Sequence, residues 1–346
     1  LKTIYSADHH LRAPSTELSG GELVRPFECP ERAEIVKAAV RRVGLGPILP
    51  AADHARDMLL KLHDADYIAF LETAWDDWRK AGYAGEAIPS VWPARRMTAR
   101  CPNEIEGKLG YYAFAAETSI SAGTWQAAVA SANVAMTAAT HVAEGDPHAF
   151  ALCRPPGHHA GHDLYGGYCF LNNAGLAAQV LRDKGASRVA VIDVDFHHGN
   201  GTQDVFYARD DVLFVSLHGK PEEAFPHYMG YADETGSGAG EGFTLNLPLP
   251  RGTDWAAYES ALEGACKRIA SFGAEALVVS LGVDIFENDP ISFFKFTSED
   301  FVRLGARLGQ IGLPTVYVLE GGYAVDEVGQ NVVNTLMGHE GSAAQL

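Results

Sequence analysis

The chain has 346 residues, 47% of them hydrophobic, and sets Lys+Arg 27 against Asp+Glu 44 for a net charge of −17. That is apolar material for one large α/β core, and the negative excess, with no basic stripe, argues against nucleic-acid binding. The longest apolar runs, such as ALVVSLGV, fall short of the ~18–20 residues of a membrane span, the opening LKTIYSADHH has no apolar signal region, and five irregularly spaced cysteines without a CxxC point to reduced thiols in the cytoplasm.

In chain order, residues ~80–104 (KAGYAGEAIPSVWPARRMTARCPNE) come first, with Pro, Gly, Trp and a basic cluster but no clear period. A loop of that length within a compact domain is usually a lid or an interface. HAFALCR (148–154) predicts a strand, NNAGLAAQVLRDKGA (172–186) a helix, RVAVIDV (188–194) and VLFVSLH (212–218) two strands. DWAAYESALEGACKRIASFG (254–273) predicts a helix, and EALVVSLGVD (275–284) and PTVYVLEGG (314–322) two further strands. Unbroken Val/Ile/Leu runs separated by helices predict a single α/β domain over 1–346, with a mostly parallel sheet covered on both faces.

Each chemically loaded segment follows a predicted strand: CRPPGHHAGHD, DVDFHHGN, GVDIFENDP and EGGY. Sites in open parallel sheets gather beyond the carboxyl ends of the strands. Asp195 and His197, two residues apart on an extended chain, point to one side, and Asp284 arrives from another strand end. Two carboxylates and one imidazole, with no cysteine, form a three-ligand set with room for water, the layout of a catalytic rather than a structural zinc. Singly, such an Asp is more often a turn or cap residue. It is the combination that points to a metal.

The adjacent His158 and His159 suit proton transfer near neutral pH. Asp193 would hold one imidazole charged, while neutral Asn200 would leave the other free to shuttle a proton. Tyr323, behind two glycines, can place a phenol against an oxyanion.

Together RPPGHHA, DVDFHHGNGTQ, FVSLH, GVDIFENDP and LEGGY resemble the arginase–deacetylase superfamily, in particular its zinc-dependent histone-deacetylase-like amidohydrolases. TELSGGELVRPFE, LHDADYIAFLETAW, AFPHYMGYADETGSGAG and the 80–104 insertion resemble the bacterial acetylpolyamine amidohydrolase subgroup. The resemblance implies the arginase–deacetylase fold and one zinc on Asp195, His197 and Asp284, with zinc and iron(II) both open as the ion in the cell. It implies His159 as general base and acid, His158 as an electrostatic partner and Tyr323 on the substrate carbonyl. Tyr168 and Phe225 would line a tunnel, and the Gly167 carbonyl would face the amide nitrogen. Asp193 and Ser216 would belong to a structural potassium site. Where arginases carry further carboxylates for a second metal, this chain has Gly199 and Gly282, which implies a single ion.

The expected reaction is therefore removal of acetyl groups from small acetylated polyamines or diamines. The alternatives are deacetylation of acetyl-lysine in proteins and, behind both, a non-catalytic ligand-binding protein on the same fold. The net charge and three rim carboxylates, Glu17, Glu106 and Glu117, favour cationic amines, and the resemblance implies Glu117 as the principal candidate. The insertion, with Trp92, Arg95, Arg96 and Met97, is expected to make a homodimer and narrow the entrance.

Overall fold

The computed structural model describes residues 1–343. Its strands are β1 (Lys2–Tyr5), β2 (Glu17–Ser19), β3 (Glu22–Val24), β4 (Ile48–Pro50), β5 (His148–Ala151), β6 (Val189–Asp193), β7 (Val212–Gly219), β8 (Thr244–Leu249), β9 (Ala276–Leu281) and β10 (Thr315–Leu319). Eight of these form one parallel sheet in the order β4-β1-β5-β10-β9-β6-β7-β8, and β2 and β3 form a separate antiparallel hairpin.

The α-helices are α1 (Pro30–Val43), α2 (Ala65–Lys80), α3 (Ile105–Tyr112), α4 (Thr124–Ala143), α5 (Asn173–Asp183), α6 (Asn200–Phe206), α7 (Trp255–Phe272), α8 (Asp300–Gly309) and α9 (Val325–Ala343). Alternate strand residues enter two separate cores. Val189, Val191, Val278 and Val316 pack on the side of α2, α4 and α5. Ala190, Ile192, Leu277, Val279 and Tyr317 pack on the side of α1, α7, α8 and α9. A strand buried on both faces has no polar side to show, so its sequence reads as a continuous apolar run. Burying each Val, Leu or Ile contributes about 1.5–3 kcal/mol.

The helix boundaries follow local chemistry. Asn172 caps α5 by accepting from Gly175 N at 2.8 Å, and Asp254 caps α7 by accepting from Ala257 N at 3.1 Å. Gly273, at φ 72°, ends α7 in a left-handed conformation that only glycine adopts cheaply. Residues 81–104 form no helix or strand; Ala87 makes one isolated bridge, to Ile120.

Candidate active site

The four strands followed by loaded segments, β5, β10, β9 and β6, are consecutive in the sheet. Segments scattered from residue 154 to residue 323 therefore open onto one place. Register sharpens this: Asp193, the last residue of β6, lies between Ser280 on β9 and Ser216 on β7.

Asp195, His197 and Asp284 lie together. His197 Nδ1 lies 3.2 Å from Asp195 Oδ1 and 3.0 Å from Asp284 Oδ2. Both carboxylates are fully buried, and backbone amides aim them: Gly321 N donates to Asp195 Oδ2 at 2.8 Å, and Phe196 N to Asp284 Oδ1 at 2.8 Å. Burial, with the Asp195 charge beside it, pushes Asp284 up to about 8. Burial opposes a charge on His197, yet the two carboxylates outweigh it and push that imidazole up to about 10. The imidazole proton stands where a divalent cation would sit. An acceptor-rich set that otherwise has to recruit a proton fits a metal ion.

Two other clusters, among the described residues, bring three ligand-type groups together. In His9, His10 and Glu34, the carboxylate already accepts from the Tyr5 hydroxyl and pairs with Lys37, and the buried His9 Nδ1 has no partner. A metal-bound imidazole normally passes its other proton to an acceptor. In His158, Cys169 and Glu320, burial pushes the thiol well up, and Glu320 Oε2 accepts from Gly157 N at 2.7 Å and His158 N at 3.1 Å. Neither matches the Asp–His–Asp set.

The paired histidines have different partners. His158 Nδ1 donates to Asp193 Oδ2 at 2.9 Å, and His159 Nδ1 to Asn200 Oδ1 at 2.6 Å. Burial disfavours charge on both rings. For His158 the carboxylates of Asp195 and Asp193 prevail and push it up to about 10. His159 has only the amide, and burial together with the neighbouring charged His158 and His197 pushes it well below the usual histidine range. The surroundings thus favour charge on His158 and disfavour it on His159, whose Nδ1 is committed to Asn200. Their ring centroids are 4.0 Å apart.

A cavity of about 580 Å³ opens over these groups, lined by His159, His197, Tyr323, Gly167, Tyr168, Phe225, Glu17 and Glu117 among others. Tyr168, at φ 67°, follows Gly167, at φ 54°. This left-handed pair is a strained backbone for a tyrosine, of the kind that collects at functional sites. Tyr168 is not only an apolar wall: its hydroxyl donates to Glu17 Oε1 at 2.7 Å. Glu117 Oε1 accepts from Gly167 N at 2.8 Å and from the Thr118 hydroxyl at 2.9 Å. Glu106 does not line the cavity; it accepts from the exposed Tyr83 hydroxyl at 3.1 Å. No residue of 80–104 lines the cavity of a single chain either, so narrowing by that segment would need a second copy.

The two glycines read as barriers to a second metal leave no room for a side chain. A Cβ on Gly282 would stand 2.1 Å from Asp195 Oδ2, and one on Gly199 2.2 Å from Asp193 Oδ2. Three residues at the site were given no role from the sequence: Arg32, and Glu320 and Asp289 inside the segments EGGY and GVDIFENDP. Arg32, far off in the chain, donates to the carbonyls of Gly322 at 2.6 Å and Glu320 at 2.7 Å, and only the fold brings it there.

A buried Asp–His–Asp set able to hold a metal ion, beside two unlike histidines and a phenol, is the arrangement that hydrolysis of a polarised carbonyl would need. The histone deacetylase domain family matches residues 26–338, and the chain belongs to that family. It is 58% identical to the acetylpolyamine amidohydrolase of Mycoplana ramosa over 341 residues, covering 99% of this chain and 100% of that one. Identity to acetylpolyamine amidohydrolase 1 of Pseudomonas aeruginosa is 51%, over 99% of each chain. The crystal structure of an acetylpolyamine aminohydrolase from Burkholderia pseudomallei superposes with a TM-score of 0.94 at 38% identity, over 99% of both chains.

Proposed function

We propose that the protein is a zinc-dependent amidohydrolase that removes acetyl groups from small acetylated polyamines and diamines. The carrying observation is the make-up of one cavity: His197 of the buried Asp195–His197–Asp284 set lines it, together with two carboxylates, Glu17 and Glu117. Likeness over the whole chain to acetylpolyamine amidohydrolases supports the same substrate class.

A zinc ion on Asp195, His197 and Asp284 would supply Lewis-acid polarisation of the amide carbonyl and make water nucleophilic near neutral pH. His159 takes the water proton at Nε2, its Nδ1 proton being committed to Asn200. The same Nε2 then delivers a proton to the departing amine nitrogen. His158 stays charged against Asp193 and keeps the field positive where oxyanion charge develops. Tyr323 donates its phenol hydrogen to that oxyanion. Phe225 and Tyr168 flank the chain of methylenes, the Gly167 carbonyl faces the amide nitrogen, and Glu117 attracts the distal ammonium. Asp193 and Ser216, paired across β6 and β7, would contribute to a structural potassium site under the histidines.

We further propose a homodimer through the 80–104 segment, in which Val91 and Met97 are exposed and Trp92 is anchored by its Nε1 donating to Ala113 O at 2.9 Å. The partner's loop would narrow the entrance that a single chain leaves open. Without it, an acetyl-lysine side chain could also enter, which keeps protein deacetylation as the second reading. The five cysteines are unpaired, in keeping with residence in the cytoplasm, and no helix among the described residues is long and apolar enough to cross a membrane.

The test is turnover of acetylputrescine, acetylcadaverine, acetylspermidine and an acetylated histone peptide by the metal-loaded protein, with its mass in solution measured by light scattering. The amines should be cleaved faster than the peptide, and the mass should be that of two chains. Faster cleavage of the peptide than of every amine overturns the substrate assignment. Loss of no activity on chelation overturns the metal assignment.

A further inference from the structure

The phenol of Tyr323 has to meet an oxyanion to within a fraction of an ångström, yet the tyrosine follows Gly321 and Gly322, the residue type with the most backbone freedom. Gly321 cannot be stiffened by a side chain, because a Cβ there would stand 2.4 Å from Asp284 Oδ2. Other groups have to fix the turn. Gly321 N donates to Asp195, Val283 N donates to Gly321 O at 3.0 Å, and Arg32 Nε donates to Gly322 O. The N–H groups of Tyr323 and Ala324 lie just ahead of α9, outside any helical or sheet ladder, and both go to one carboxylate. Asp289 Oδ2 accepts from Tyr323 N at 2.7 Å and from Ala324 N at 3.3 Å. Its other oxygen, Oδ1, accepts from Ile291 N at 3.1 Å. Ile291, Ser292 and Phe293 line the cavity.

We propose that Asp289 is a positioning residue for Tyr323, and that it couples the wall at Ile291–Phe293 to the placement of the phenol; the proposal rests on the amidohydrolase reading above. Asp289 touches neither substrate nor metal ligands. It acts by accepting at both oxygens, and it is buried, so no water can replace it cheaply. The negative charge also suits its place at the N-terminus of α9. The tyrosine ring is held separately, with the Arg32 guanidinium 4.8 Å from its centroid and the Tyr168 ring at 5.6 Å. Loss of Asp289 would therefore loosen the phenol without removing it. No neutral isostere does the same work: an asparagine presents one acceptor, and its amide hydrogens oppose an N–H on the other side.

The experiment is a double-mutant cycle with Asp289→Asn and Tyr323→Phe on acetylputrescine, with bound metal per chain measured for every variant. In the wild-type background Asp289→Asn should lower kcat on the order of 10–10²-fold, with KM changed much less and the metal content unchanged. In the Tyr323→Phe background it should cost less than about threefold, since there is no hydroxyl left to misplace. Losses that multiply, or an unchanged kcat, overturn the proposal. Should Asp289→Asn not fold, Asp289→Ser is read in the same cycle with the same criteria. An inactive wild type would instead sink the amidohydrolase reading, which the first measurement of the cycle reveals separately.

Discussion

Asn200→Asp tests the division of labour between the two histidines. It puts a carboxylate where an amide oxygen now lies 2.6 Å from His159 Nδ1, and so gives His159 the partner type that His158 has in Asp193. Two unit charges about 4 Å apart interact by roughly 4 kcal/mol at an effective dielectric of about 20, close to three pKa units at ~1.36 kcal/mol each. The charged His158, with ring centroids 4.0 Å apart, opposes a second imidazolium and cancels part of that gain. A net rise of about 1–2 units for His159 is the expected outcome. The sign is fixed by its role. A general base works when neutral, so activity falls as pH drops through its pKa, and raising that pKa moves the acidic limb of the kcat/KM profile to higher pH. The assay is that profile on acetylputrescine, at constant ionic strength, for both proteins. Above the displaced limb the variant should recover most of the wild-type rate, which separates a titration effect from misfolding. An acidic limb that stays in place or moves to lower pH refutes the assignment of His159 as the base.

Tyr323→Phe should lower kcat by about 10²–10³ with metal still bound; a kcat near that of the wild type would remove the phenol from the mechanism. Glu117→Ala should cost only a few-fold in kcat/KM, because ion pairs at a half-exposed rim contribute ~0.2–1 kcal/mol. That loss should be larger for acetylputrescine than for an uncharged acetylamide of equal length, and should shrink with added salt; equal losses would show that Glu117 reads no charge. His63 should make the protein acid-sensitive away from the site. Its Nδ1 donates to Gly161 O at 2.7 Å, its Nε2 accepts from Asn172 N at 3.0 Å, and burial pushes it down to about 4. With its folded pKa below the ordinary 6.5, its full contribution is present above pH 6.5 and is lost as pH falls towards 4, to a limit of roughly 3 kcal/mol. Urea titrations at pH 7.5 and 5 should show the fall, and a His63→Ala variant whose stability drops just as steeply would exonerate His63.

The strands predicted from apolar runs are those buried on both faces, β5, β6, β7, β9 and β10, and four of them, β5, β6, β9 and β10, lead into the site. Edge elements were less legible. The edge strand β4 and its neighbour β1 have three and four residues, and β1, KTIY, opens on a lysine and a threonine, so neither forms a Val/Ile/Leu run. In TWQAAVASANVAMTAATHVA, the sequence of α4, most residues are buried, so no polar face announces a helical period. The ligand set, the histidine pair and Tyr323 were legible because each sits within a few residues of a strand end, where side-chain type and spacing suffice. Arg32, Glu320 and Asp289 were given no role, because the partners that tie them to the site are backbone groups. Nothing in a sequence marks which carbonyl or N–H a buried side chain will meet.

That distinction also says how the site can be built from so many acids. Asp193, Asp195, Asp284, Asp289 and Glu320 are all buried within the carboxyl-end region of four neighbouring strands, a concentration of negative charge that desolvation alone would protonate. Burial does push Asp289 up to about 6, Glu320 up to about 7 and Asp284 up to about 8. The cost is offset in two ways. Backbone amides from the loops that the strand ends release donate to the carboxylates: Gly157, His158, Phe196, Gly321 and Tyr323 each give one hydrogen bond. Cations complete the balance, a fixed imidazolium at His158 and the metal expected between Asp195, His197 and Asp284. The amides that neutralise the acids are also the ones that hold the catalytic loops in place. Electrostatic balance and geometric precision are therefore supplied by the same hydrogen bonds, and a change that neutralises one of these carboxylates should disturb a loop before it disturbs a charge.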